Sequence, residues 1–195
     1  LQLGGKLFVK PDLSDSVLIY FIAPGNPADL AYKPWSVISY MFTHEQFGHF
    51  FLNMLAFYFT GRLFVQFFGE RRLLSVYLFG GIFAYLFHIA AYYSFPAFAA
   101  EVTPGVLGAS GSVMAIFMAA AFYKPSLKVL LFGVLPVPLI LIAALYLWLD
   151  LSGVSEPEAE ASGIAHLAHL GGAIFGMVSI IKIHSPNNFM NLFDK

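Results

Sequence analysis

Three short stretches of this 195-residue chain hold side chains able to do nucleophilic or acid–base chemistry: "HEQFGHFFLN" from 44, "GASGS" from 108 and "HLAHLGG" from 166. A serine hydroxyl beside a neutral imidazole can transfer an acyl group, the imidazole taking the hydroxyl proton and later returning it to the leaving amine. Ser110 stands where an apolar helical run begins, next to backbone N–H groups without helical partners and the positive end of the helix dipole. An oxyanion can be held there. Gly108 and Gly111 keep bulk away from the hydroxyl. Two other readings stand beside this one. Ser110 could be a helix cap, or Ser112 could be the nucleophile, although two positions along a helix turn it to roughly the opposite face.

His169, Gly172 and Gly176 are spaced i, i+3, i+7 and form one stripe. Glycines on a stripe let another helix approach closely. Gly111, Ala115 and Ala119 make a matching small-residue ridge beside Ser110. The two ridges are expected to meet and so to set the Ser110–His169 distance; the alternative is a packing motif with an incidental histidine. His166 lies one turn nearer the surface, as a supporting or solvent-linked group. His49 and Asn53 share a helix face at i, i+4. The Asn53 amide suits a developing oxyanion, or it could hydrogen-bond between helices. Asp and Glu are absent from the last four expected spans and Glu45 sits at the edge of the first, so a Ser–His dyad is the simpler expectation.

The elements that must position these groups follow from composition. The chain is 59% hydrophobic and only 11% charged, with a mean hydropathy of +0.77. A soluble domain carries about 25% charged residues, so this surface cannot face water all round. Apolar runs near 46–68, 73–94, 108–123, 129–149 and 164–183 predict five membrane spans. The third is short and Ala-rich, as an enclosed helix would be; Pro136 and Pro138 predict a kink in the fourth. Arg71, Arg72, Lys124, Lys128 and Lys182 fall on one side, while Glu101, Asp150, Glu156, Glu158 and Glu160 fall on the other. The basic side is cytoplasmic by the positive-inside rule. The first, third and fifth spans then all start outside, and their polar residues share one layer within about 10–12 Å of the outer surface. Polar groups at that depth face a cavity or one another.

With these residues in place, the chain resembles the rhomboid intramembrane serine proteases from about Trp35 to Lys182. The likeness rests on "HFFLN" at 49–53, "GASG" at 108–111 and "AHLGG" at 168–172 with Gly176, in that order. It implies an all-α polytopic membrane helix bundle, a single domain over 1–195, with five spans of a six-helix core. The first helix would be the missing one, in keeping with a sequence that opens on Leu1. Residues 1–45 would form the outer loop region and 184–195 a cytoplasmic tail. The likeness also implies Ser110 as nucleophile, His169 as general base, and an oxyanion hole of His49, Asn53 and the Ser110 N–H, with His44 matching a histidine common at that point. Substrates would be transmembrane proteins cut near helix-destabilising positions and admitted past the spans at 46–68 and 129–149. The site would open to the extracytoplasmic side of a bacterial inner membrane. Two departures, Ser36 after Trp35 and Val65 where a glutamate is usual, bear on the anchoring of the outer loop.

Other function classes are narrowed by the same residues. With no cysteine, disulfides and thiol catalysis are excluded, and a net charge of −1 without a basic block speaks against nucleic acid. No cofactor or metal is implied. "HEQFGH" looks like a zinc-protease helix, but histidines five apart diverge by about 140°. Histidines 49, 166 and 169 could still bind a metal in a transporter or membrane metalloenzyme, and a non-catalytic rhomboid-like protein that binds client helices is a third class.

Overall fold

The computed structural model describes residues 17–94, 105–131, 133–154 and 166–183. The outer-side acids Glu101, Glu156, Glu158 and Glu160 and the tail at 184–195 lie outside the described residues. A one-turn helix α1 (Ser36–Ser39) precedes α2 (Phe47–Phe68), α3 (Glu70–Ser94), α4 (Ser110–Tyr123), a hairpin of β1 (Lys128–Leu131) and β2 (Leu135–Pro138), α5 (Leu139–Val154) and α6 (His166–Ile183). Two of these, α2 and α3, are long and apolar enough to cross a membrane; α4, α5 and α6 contain shorter apolar segments. The expected all-α bundle is therefore present, with one small hairpin added.

Local sequence accounts for the breaks. Gly69 ends α2 at φ 82°, with its N–H bonded to Val65 O, a backbone shape suited to glycine. Pro125 follows α4 and denies it a further turn. The expected fourth span is where sequence and structure differ. Residues 128–138 form an antiparallel hairpin around Gly133 (φ 74°), with Leu130 opposite Pro136 and Lys128 opposite Pro138. A proline offers no N–H to a helix, but in a two-stranded hairpin every strand is an edge and tolerates it. The two prolines therefore kink nothing. They delay the helix to Leu139, and α5 runs on to Val154 instead of ending near 149.

Helix α4 is the hub. It is apolar on every side, and Gly111 to Ile116 and Met118 to Ala121 are all buried, as expected for a helix enclosed by others. At 14 residues it spans about 21 Å, short of the about 30 Å hydrocarbon core. Its N-terminus at Ser110 is half-buried among its neighbours. The outer faces of α2 and α5 stay exposed, with Phe47, Phe51, Leu52, Phe59, Leu141 and Trp148 among them.

The segment before α2 is tied down from beneath. Tyr40 Oη donates to Gly81 O (2.6 Å), Tyr77 Oη to Met41 O (3.0 Å) and Tyr85 Oη to Pro24 O (2.8 Å). Ser36 is fully buried and donates to Lys33 O, while the Trp35 indole donates to Tyr20 O. The Ser36 departure thus has a local role: its hydroxyl closes the turn.

Candidate active site

The small-residue ridges of α4 and α6 meet. A methyl group at Gly172 would strike the backbone oxygen of Gly111, and one at Gly176 would strike that of Ala115. Only hydrogen at these positions allows the two backbones so close. Helix α3 closes the third side, since a methyl on Gly80 would stand 2.6 Å from Ala115 Cβ, and one on Gly111 2.8 Å from Ala84 Cβ.

This packing brings Ser110 Oγ to 2.7 Å from His169 Nε2. Ser110 is the first residue of α4, the cap position belongs to Ala109, and no side chain caps the helix; the capping alternative for Ser110 does not hold. Ser112 is buried against Gly81 of α3, its hydroxyl without a partner among the described residues. It is not the serine beside His169.

The expectation that no carboxylate accompanies the pair is corrected. Asp150, which falls just past the expected span at 129–149, lies in α5 and is only 6% exposed. Its Oδ1 stands 2.9 Å from His169 Nδ1 and 2.8 Å from His166 Nδ1. The cause is the register of α5: the hairpin moves the helix toward its C-terminal side and draws Asp150 into the bundle. The available signal was that Asp150 is the only carboxylate between Lys128 and Val154, and a lone acid at the rim of an apolar run is a functional candidate.

The remaining site residues line the approach to Ser110. Gly108 has φ 103°, and a Cβ there would lie 2.9 Å from the His49 ring, so glycine is required twice over. Its N–H donates to Tyr40 O (2.9 Å). His44 Nε2 accepts the Ala109 N–H at 3.4 Å, and the His44 and His49 rings meet edge to face at 5.2 Å. Burial, then the neighbouring His49, pushes His44 below its ordinary value of 6.5, which suits an acceptor. Asn53 is buried and donates to His49 O of its own helix at 3.0 Å; an amide nitrogen has a second N–H to offer. The Tyr146 ring lies 6.5 Å from that of His169.

Among the described residues, Asp150, His166 and His169 could present three metal-binding atoms within 4.8 Å of one another. His49, which the rival metal reading grouped with His166 and His169, is not part of this set. The donor atoms are already engaged: both Nδ1 atoms face one carboxylate oxygen, and His169 Nε2 faces Ser110.

Polar groups of α4, α5 and α6 converge at one end of this apolar helix bundle. A rhomboid-domain family model matches residues 31–186, and the chain belongs to the rhomboid family. It is 31% identical over 195 residues to rhomboid protease AarA of Providencia stuartii, covering 93% of this chain and 68% of that protein. It is 34% identical over 158 residues to RHOMBOID-like protein 12, mitochondrial, of Arabidopsis thaliana (76% of this chain, 46% of that one). Rhomboid protein 1, mitochondrial, of Saccharomyces cerevisiae is 31% identical over 146 residues (73% and 40%). The chain thus spans less than half the length of these two mitochondrial relatives.

Proposed function

We propose that the chain is an intramembrane serine endopeptidase that hydrolyses peptide bonds in or near transmembrane segments of other membrane proteins. The observation that carries this reading is the 2.7 Å contact between Ser110 Oγ and His169 Nε2, in a family that includes a protein named as a protease. Ser110 Oγ attacks the scissile carbonyl carbon while His169 Nε2 takes its proton. The C–N bond then breaks as the same proton passes to the leaving amine, and water repeats the cycle on the acyl-enzyme.

Charge on the carbonyl oxygen needs donors. The Ser110 N–H, at the start of α4, has no helical acceptor, and the His49 ring and the second N–H of Asn53 complete the proposed oxyanion hole. One such donor is worth about 2.7–4 kcal/mol of barrier. Substrate helices reach the site between α2 and α5, whose outer faces are exposed. The site opens to the extracytoplasmic side, in the bacterial inner membrane. Cleavage of a transmembrane test substrate by the wild type, compared with Ser110→Ala and His169→Ala, tests the proposal; equal rates in all three would overturn it.

A further inference from the structure

We infer that Asp150 is a positioning residue of this site, holding His169 with Nδ1–H turned inward and Nε2 free to accept from Ser110, while His166 braces the carboxylate. The inference rests on the protease reading above and adds a third member to its Ser–His pair. A neutral imidazole has one N–H and one acceptor nitrogen, and the neighbour on one nitrogen decides the role of the other. Asp150 Oδ1 can only accept when ionised. At 2.9 Å from His169 Nδ1 it draws the N–H to that nitrogen and leaves Nε2 as the base.

An anion is a poor choice at this place unless it acts. Asp150 lies one turn from the end of α5, where the helix dipole disfavours negative charge. It is buried, which costs free energy unless its charge is answered. Its second oxygen, Oδ2, has no hydrogen-bond partner among the described residues. A tie that served only to join α5 to α6 would be built more cheaply from a neutral side chain with all its hydrogen bonds made. Both donors that answer the charge are imidazoles of α6, and one of them touches Ser110. When His169 takes the serine proton it becomes a cation, and the carboxylate then stabilises it. The Nδ1 proton stays where it is throughout, so no proton is stored on Asp150.

The test compares wild type, Ser110→Ala, Asp150→Asn and Asp150→Glu in the same bilayers, with rates expressed per folded molecule. Asparagine keeps the size and offers an oxygen, but its N–H₂ can equally hold His169 in the wrong tautomer. The expected result for Asp150→Asn is a kcat lowered by about 100-fold with KM little changed. Fluorophosphonate labelling of Ser110 slows in parallel, and Asp150→Glu recovers part of the loss. A fall smaller than about ten-fold per folded molecule overturns the inference. Should Asp150→Asn yield no folded protein, ¹⁵N-histidine spectra of the wild type decide: His169 is expected in the Nδ1–H form, and an Nε2–H form overturns the assignment. A wild type that does not cleave, or a Ser110→Ala that does, removes the protease reading itself and is told apart from failure at Asp150 alone.

Discussion

Gly172 of α6 lies against the backbone carbonyl of Gly111 in α4, one residue past Ser110 and one turn past His169. The catalytic distance proposed above is therefore set by a contact that contains no side chain. Replacing Gly172 with leucine must push the helices apart. Overpacking of this kind costs about 1–3 kcal/mol, and it moves His169 from Ser110 by more than a hydrogen bond tolerates. The expected outcome is a lower thermal transition together with loss of substrate cleavage. A Gly172→Leu protein that cleaves at the wild-type rate would contradict this account of the interface.

The cluster of Asp150, His166 and His169 separates two kinds of chemistry. If the three are bound to one another, as their 2.8 and 2.9 Å contacts indicate, removing metal has nothing to remove. Dialysis of the protein against a strong chelator is expected to leave both substrate cleavage and Ser110 labelling unchanged. Loss of activity that zinc restores would replace the hydrogen-bonded arrangement with a ligated one.

Tyr85 reaches from α3 to hold the segment before α2 at Pro24 O. The neighbouring pairing of Ala23 with Val106 leads toward the Gly108 loop. Tyr85→Phe keeps the ring and leaves a buried carbonyl unanswered, at a cost of about 1–3 kcal/mol. Thermal unfolding in detergent should report that loss. Because the tie lies outside the Ser110–His169 contact, labelling of Ser110 at low temperature should persist.

Some of this was legible in the sequence, and the boundary is instructive. Ser110 and His169 announced themselves because polar groups from separate spans fell at one depth, a pattern that packing alone does not produce. The Gly172 and Gly176 stripe was readable for a related reason, since helical spacing converts directly into a face. The hairpin at 128–138 was not readable: Val, Leu and Phe in a short run suit a strand, a buried helix or a span equally, and only Pro136 and Pro138 hinted at the difference. That one ambiguity concealed Asp150. A span taken to stop at 149 puts the carboxylate in a loop, whereas a helix starting at Leu139 carries it to His169. The part played by Ser36 was open in a smaller way, since its role depends on a turn that only the fold reveals.

His44 gives the clearest dependence on pH outside the helices. Its native pKa is pushed below 6.5, first by burial and then by His49. In the unfolded chain it titrates near the ordinary value. As pH falls through 6.5 the unfolded state therefore takes the proton first, and stability declines until the lowered native value is passed. Above that window His44 is neutral in both states and contributes no slope. Protonation also ends its ability to accept the Ala109 N–H, which lies beside Ser110. His44→Gln retains an acceptor and cannot titrate. Between pH 7.5 and 5, the wild type should lose more of its thermal stability than His44→Gln does, the gap opening below about pH 6.5. Identical pH profiles for the two proteins would remove His44 from this role and leave the decline to other groups.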